Sequence, residues 1–147
     1  KESLKLAKFI VRTRQGKSIN TNFDLIEVLR GSGVNFRSKK IHFATQAFQA
    51  LRIECNKELE NLNIFLEKVY NYLNKDGILA IISFHSLEDR IVKNYFRSNS
   101  VKKDEFKNQS NWGFEILTKR PITPNQIEIM DNPRSRSSKL RVGRFVN

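Results

Sequence analysis

One stretch of this chain, from Ile78 to Phe96, constrains the fold more than any other. Its first five residues are apolar and mostly branched, and an Asp-Gly turn precedes them. A short continuous run of this kind is typical of a strand buried on both faces of a parallel sheet. After the polar segment from Ser83 to Arg90, apolar residues recur at helical spacing. The stretch therefore predicts a strand, a tight turn and a helix, which together form half of a βαβ unit.

The polar segment after this strand is the first place to look for chemistry, because open α/β sheets bind ligands beyond the carboxyl ends of their strands. A serine hydrolase is not indicated, since the Gly-x-Ser-x-Gly elbow is absent. We expect His85 or Ser86 to cap the following helix, with Glu88 and Asp89 placed favourably in its first turn. Glu88, Asp89 and Arg90 can equally pair with their neighbours.

Ser83, Phe84 and His85 stay at the mouth of the predicted sheet. A flat nucleobase can stack there on the ring of Phe84 or of His85. These three residues and Ser86 are therefore candidates for contact with a ligand.

Length, hydropathy and cysteine content narrow the class of protein. A chain of 147 residues matches about one domain with a real core. No run approaches the roughly 20 apolar residues of a membrane span. Cys55 is the single cysteine, which leaves no disulfide or cysteine cluster for a metal and fits a reducing compartment. Because Lys1 stands inside a helical pattern where a starting methionine is expected, we interpret the chain as part of a longer protein.

The net charge of +12 is unevenly distributed. Residues 1–40 carry ten Lys and Arg against three acids, residues 41–97 carry seven of each, and residues 98–147 carry ten against five. A neutral middle with basic ends indicates a packed core between surfaces that meet a polyanion such as RNA. The rival interpretation is an AT-rich genome that places lysine and asparagine on any solvated surface.

The remaining patterns predict further helices and strands. Gly31-Ser32-Gly33 follows a helix and not a strand, so it indicates a helix stop and not a phosphate-binding loop. Residues 34–40 form a basic connector, and residues 98–111 are polar without periodicity and predict a loop. The last two strands can pair antiparallel at the edge of the sheet. The predicted helices span 4–14, 23–30, 45–74 with a break near 61–63, and 125–131, and the strands span 112–118 and 138–146.

Two more groups of polar residues are candidates for binding. Arg52 and Asn56 lie one helical turn apart beside an apolar stripe, where they are solvated or reach a bound ligand or the next segment. In the segment from Asn132 to Arg141, arginines alternate with serines and no acid intervenes. Guanidinium groups favour bidentate phosphate contacts, so this segment predicts either an RNA-contacting turn or a basic connector.

Several long motifs resemble those of one family. Residues 42–53 are similar to its His-Pro-Ala-Thr-Arg-x-Phe-Gln-Ala-Leu-Arg-Ile signature, with Phe43 and Gln46 as departures. Residues 82–93 resemble its Ile-Ser-Phe-His-Ser-Leu-Glu-Asp-Arg-Ile-Val-Lys motif without a mismatch, and residues 121–124 and 132–142 resemble its C-terminal motifs. The family is the bacterial S-adenosylmethionine-dependent 16S ribosomal RNA cytosine-N4 methyltransferases.

This resemblance implies an α/β fold: the C-terminal half of a Rossmann-like class I methyltransferase sheet plus part of an inserted helical subdomain. Residues 1–40 would belong to the insertion and residues 41–147 to the catalytic domain. The implied partner is 16S rRNA in the small ribosomal subunit, in the cytoplasm and away from any membrane. The implied reaction moves a methyl group from S-adenosylmethionine to the exocyclic amine of a cytosine.

The resemblance also implies that the cofactor loop, the ribose-binding acid and the acidic catalytic motif of the family precede Lys1. No cofactor-binding, catalytic or metal-binding residue is therefore assigned in this chain, and we expect the isolated chain to be inactive and to bind S-adenosylmethionine weakly. A half-sheet exposes an edge, so homodimerisation is a further hypothesis. The alternatives are a non-catalytic basic RNA-binding module and a methyltransferase acting on another amine. The candidates for the RNA side are Arg52, Asn56, Ser83, Phe84, His85, Ser86, Asp89, Arg90, Arg134, Arg136, Ser137, Lys139 and Arg141.

Overall fold

The structure is a computed structural model that describes residues 2–34, 44–101 and 112–147. Predictions for the connector at 35–40, for His42 and Phe43, and for most of the loop at 98–111 fall outside these residues. The elements, in chain order, are α1 (Glu2–Gly16), α2 (Asn22–Gly31), α3 (Thr45–Cys55), α4 (Glu58–Val69), a 3₁₀ helix (Tyr70–Tyr72), β1 (Ile78–Ser83), α5 (Ser86–Ser98), β2 (Gly113–Ile116), α6 (Gln126–Asp131), a second 3₁₀ helix (Pro133–Ser137) and β3 (Lys139–Val146).

The chain divides into two compact units, Lys1–Asn56 and Lys57–Asn147. The first is helical, and the second contains the sheet with the helices that pack on it. This division follows internal contacts, so the predicted inserted subdomain at residues 1–40 stays a prediction.

In the helical unit, α2 begins with a reciprocal capping box, as its polar start predicts. The Thr21 hydroxyl accepts the Asp24 N–H, and the Asp24 carboxylate accepts the N–H of Thr21 at 2.8 Å. Hydrogen bonding from Thr21 holds the pKa of Asp24 below its usual range. Downstream of the cap, Leu25 and Leu29 are buried together with Ala44. The capped start thus orients the face of α2 that forms this small core.

The long helix predicted over residues 45–74 is two helices, and the predicted break near residues 61–63 is wrong. The helix is interrupted at Lys57, which adopts a left-handed backbone conformation with φ of 52°. That conformation interrupts the helical hydrogen-bond ladder, and α4 starts at the next residue. The apolar spacing runs through the break almost unchanged, so periodicity alone could not locate it.

The sheet has three strands in the order β1-β3-β2, and both pairings are antiparallel. β1 and β2 therefore run in the same direction on either side of β3, with α5 between them in sequence. This arrangement confirms the strand, turn and helix predicted over 78–96 and the antiparallel pairing of the last two strands. The expectation that β1 pairs within a parallel sheet is wrong for the described residues, since its only neighbour there is β3.

The two faces of β1 differ in burial. Leu79 and Ser83 are buried, whereas Ile78 and Ile82 are 53% and 58% exposed. The prediction of two buried faces is therefore wrong for this structure. We call the second face the open face; it is formed by Ile78, Ala80 and Ile82 of β1 and, by the pairing register, Leu140 and Val142 of β3.

The covered face holds the main core. Val92 and Phe96 of α5 pack with Phe114 and Phe145 of the sheet, and all four are almost fully buried. Gly143 permits this approach, because a Cβ there would lie 2.6 Å from the Phe96 ring. Aromatic packing thus fixes α5 against the sheet, and with it the turn that joins β1 to α5.

Candidate functional site

The turn between β1 and α5 is ordered by a second reciprocal capping arrangement. His85 is the N-cap, and its Nδ1 accepts the Glu88 N–H at 3.3 Å. The Glu88 carboxylate accepts the N–H groups of Phe84 at 2.8 Å and of His85 at 3.2 Å. The prediction that His85 or Ser86 caps the helix is confirmed for His85. The Glu88 carboxylate is bound to backbone N–H groups of the same turn.

An ion pair on the covered side of the sheet, between Asp89 and Arg141, connects the start of α5 to β3. Arg141 donates from Nε to Asp89 at 2.8 Å and from a terminal nitrogen at 3.3 Å. The two side chains are only 10% and 13% exposed. Lys139 adds a contact to the same carboxylate at 3.4 Å. Hydrogen bonding from Arg141 lowers the pKa of Asp89 against an opposing effect of its burial.

The cluster of Asp89, Lys139 and Arg141 joins the two segments that sequence analysis singled out separately. Ser83 pairs with Lys139 in the register of β1 and β3, so the end of β1 meets the start of β3. The hydroxyl of Ser83 also lies 3.5 Å from the Lys139 carbonyl oxygen. The polar turn after β1 and the arginine-rich segment before β3 therefore form one end of the sheet.

Within the arginine-rich segment, the second 3₁₀ helix, Pro133–Ser137, is called the basic turn below. The Asn132 side chain caps it by accepting the Arg134 N–H at 3.2 Å. Arg134, Arg136 and Ser137 are exposed, and Ser135 is buried. The basic turn thus presents two guanidinium groups to solvent from a fixed backbone.

The thirteen candidate residues divide by environment. Phe84 is 55% exposed at the end of β1, and Ser86 and Arg90 are exposed on the same turn and helix. Asp89 and Arg141 are turned to each other and hold the fold. Arg52 and Asn56 are exposed and belong to the helical unit, apart from the eleven candidates in the sheet unit.

A group of potential metal ligands also lies at the start of α5. Atoms of Glu58, His85 and Glu88 lie within 4.8 Å of one another. His85 uses the lone pair of Nδ1 to accept the Glu88 N–H, so the ring N–H belongs to Nε2. Nε2 lies 3.5 Å from the Glu88 carboxylate. Since a metal would need the Nε2 lone pair, we assign His85 and Glu88 to helix capping and not to metal binding.

Sequence reasoning missed the ion pair between Asp89 and Arg141 and the acceptor role of Glu88. His85 and Glu88 have the spacing of a capping box, so the sequence did contain a pattern that indicates the acceptor role of Glu88. Nothing in the local sequence couples Asp89 to a residue 52 positions away, because that pairing depends on the register of β1 and β3.

The fold and this end of the sheet define a class: an α/β protein whose strand end carries an exposed aromatic ring beside a basic turn. Residues 1–146 match the model of the MraW methylase family. The chain belongs to this family, whose members have a class I methyltransferase fold.

The chain is also similar to curated proteins that carry the name ribosomal RNA small subunit methyltransferase H. It is 52% identical over 143 residues to that of Sulfurihydrogenibium sp. (strain YO3AOP1), covering 97% of this chain and 46% of the relative. It is 47% identical over 152 residues to that of Rickettsia prowazekii (strain Madrid E), covering 98% and 49%. The chain thus spans about half the length of the curated relatives it matches.

No helix among the described residues combines the length and the apolar composition that a membrane crossing requires.

Proposed function

We propose that this chain forms the RNA-facing portion of an S-adenosylmethionine-dependent methyltransferase that acts on the N4 amine of a cytosine in 16S rRNA. The observation that carries the proposal is the 52% identity, over nearly the whole chain, to a relative named as a small-subunit rRNA methyltransferase. Since that relative is about twice as long, the activity belongs to a polypeptide that contains more than these residues. Its place of action would be the cytoplasm, where the small ribosomal subunit is found.

The geometry at the end of β1 supports an RNA-facing role. Phe84 offers an exposed ring on which a base can stack. Arg134 and Arg136 stand on the basic turn, which leads into the end of β3 that pairs with β1. Guanidinium groups there suit the phosphates that flank a base held at the strand end.

The proposed methyl transfer defines which roles Phe84 and the basic turn can have. S-adenosylmethionine, when bound, supplies the methyl group from its sulfonium. The cytosine amine is conjugated with its ring and weakly nucleophilic, so it must be oriented and must lose a proton to an acceptor. We assign orientation to Phe84 and the basic turn, and we assign no catalytic base in this chain. Asp89 is excluded as that base by its ion pair with Arg141.

A methylation assay tests this proposal. The protein, expressed at the length of its relatives, is incubated with unmodified small ribosomal subunits and methyl-labelled S-adenosylmethionine, and the digested nucleosides are separated. We expect label on N4-methylcytidine, and label on another base or at another cytosine position contradicts the proposal. Phe84→Ala should lower kcat/KM about tenfold, the loss expected for one stacked base. Tyr72→Ala, a change of an exposed ring outside this end of the sheet, should leave it unchanged.

A non-catalytic RNA-binding module is the second candidate, and the uneven distribution of charge favours it. Both functions predict that RNA affinity falls steeply with salt. The two differ in the assay above, because only the enzyme labels RNA.

We also propose that the isolated chain self-associates through β1. On the side away from β3, this strand has no partner among the described residues, and the open face beside it is apolar. Unpaired strand edges and exposed apolar patches promote association between copies.

A further inference from the structure

The helical unit contains an open groove that the proposed function does not use. It lies between α1, the start of α2 and α3, with a volume of about 560 Å³. This volume falls in the usual range for small-ligand sites, roughly 300–1,000 Å³. The residues that matter for its chemistry are Ile10, Arg14, Leu25, Phe48, Leu51 and Asn20.

The floor of the groove is apolar and belongs to a packed core. Leu25 is buried, and Ile10 and Phe48 pack against its cluster. Leu51 also lines the groove but is 45% exposed, so it offers apolar surface that the core does not use. Flat, uncharged groups such as nucleobases suit a floor of this kind.

The rim of the groove is cationic. Arg14 lines it and is exposed, and no acidic side chain is found among its described lining residues. The neighbouring Asp24 is committed to the N–H groups of Asn20 and Thr21, at 3.0 and 2.8 Å. Residues 1–56 carry eleven Lys and Arg against four acids. The rim is therefore complementary to an anion.

We propose that this groove holds one nucleotide of a single-stranded RNA, with its base on Phe48 and Leu51 and its phosphate at Arg14. The inference rests on the proposed function, in that RNA is the substrate, and it adds a contact surface in the helical unit. An unpaired strand is required because bases in a duplex are stacked and paired and cannot enter a groove. Apolar stacking surface combined with a cationic rim is how proteins hold single strands.

Fluorescence anisotropy with the 147-residue chain tests this inference. The probes are a labelled single-stranded RNA of about twelve nucleotides and an abasic strand with the same number of phosphates. Arg14→Gln should weaken RNA binding about fivefold through loss of a charge-assisted phosphate contact. Arg12→Gln is the matched control, since Arg12 is exposed on the same helix but does not line the groove. It should change the affinity less than about twofold.

A second pair of variants tests for the base. Leu51→Ser should weaken binding of the RNA about fivefold and leave binding of the abasic strand unchanged. Leu4→Ser, at an exposed position of α1 outside the groove, should affect neither strand. Circular dichroism spectra should be the same for all variants, because each replaced side chain is solvent-exposed.

Four outcomes overturn the inference. Equal losses for Arg12→Gln and Arg14→Gln would show diffuse electrostatic attraction, and equal losses on both strands for Leu51→Ser would show that no base enters the groove. If the wild-type chain binds no RNA, the RNA-facing role proposed for this chain fails as well. If it binds RNA and the longer protein labels N4-methylcytidine while Arg14→Gln is neutral, only the groove inference fails.

Discussion

At the residue scale, Asp89 holds together the end of the sheet that carries the candidate RNA contacts. Its carboxylate holds Arg141 and Lys139, and so connects the start of α5 to the start of β3. A carboxylate in the first turn of a helix also interacts favourably with the helix dipole. Asp89 thus supports the end of the sheet on which Phe84 and the basic turn are exposed.

Asp89→Asn should destabilise the sheet unit by about 3 kcal/mol, because it leaves the Arg141 guanidinium buried without its counter-charge. Urea unfolding measures the loss. The control is Glu115→Gln, whose partner Arg144 lies at 2.9 Å in a more exposed pair; this change should cost about 0.5 kcal/mol. Equal costs for the two variants would contradict the role assigned to Asp89.

The same pair predicts a dependence of stability on acid. Hydrogen bonding from Arg141 lowers the pKa of Asp89 in the folded state. Its contribution is therefore complete above the unfolded-state pKa of about 3.9 and is lost as pH falls through the lower folded-state pKa. Unfolding free energies measured from about pH 6 to about pH 2 should fall less steeply for Asp89→Asn than for the wild type. Parallel curves would refute this linkage.

Tyr95 should make the stability of the fold depend on pH in the alkaline range, in the direction opposite to Asp89. Burial, with a smaller effect of Tyr70, raises the pKa of Tyr95 to about 12. Its contribution is complete below the unfolded-state pKa of about 10 and is lost as pH rises through the folded-state value. The buried Tyr95 hydroxyl also has no hydrogen-bond partner among the described residues.

Tyr95→Phe should therefore match or exceed wild-type stability at neutral pH and lose less stability above about pH 10. Tyr72→Phe, at a largely exposed ring, is the control and should change neither. Thermal unfolding at neutral and alkaline pH measures both effects. A loss at neutral pH for Tyr95→Phe would mean that the hydroxyl has a partner.

At the scale of elements, α5 shows which features a sequence can reveal. Its start, its acidic first turn and its apolar stripe are local features, and they predicted the helix and its cap. The break at Lys57, the antiparallel partner of β1 and the ion pair between Asp89 and Arg141 depend on backbone conformation or on contacts distant in sequence. No local sequence pattern therefore specifies these three features.

His85→Ala should cost about 1 kcal/mol of stability, since it removes the acceptor for the Glu88 N–H at the start of α5. Ser86→Ala changes the exposed neighbour that does not cap the helix and should cost close to nothing. Chemical denaturation of both variants measures the difference. If Ser86→Ala is the more costly change, the capping assignment is wrong.

The open face gives a prediction about assembly. Ile82→Lys places a charge on an exposed position of β1 and should reduce self-association of the isolated chain without loss of stability. Tyr72→Lys serves as the control at an exposed ring outside the sheet. Sedimentation velocity over a range of concentrations measures the change. A wild-type chain that stays monomeric throughout contradicts the proposed association.

At the scale of the whole molecule, we expect both units of the chain to contact RNA. Candidate RNA contacts occur in both units: Arg14 and Arg52 in the helical unit, and Phe84 and the basic turn in the sheet unit. The sequence motifs located the end of the sheet, and residues 42–53 include Phe48, Leu51 and Arg52 of the groove. They did not show that these residues form a groove, because its floor joins three helices whose packing no local pattern specifies.

We propose that this chain carries the RNA-facing part of a methyltransferase and that cofactor binding depends on residues outside it. Calorimetric titration of the 147-residue chain with S-adenosylmethionine, beside the same titration with single-stranded RNA, tests this claim most directly. We expect RNA binding that weakens steeply with salt and no S-adenosylmethionine binding in the micromolar range. Micromolar affinity for S-adenosylmethionine, or no affinity for RNA, would contradict the account.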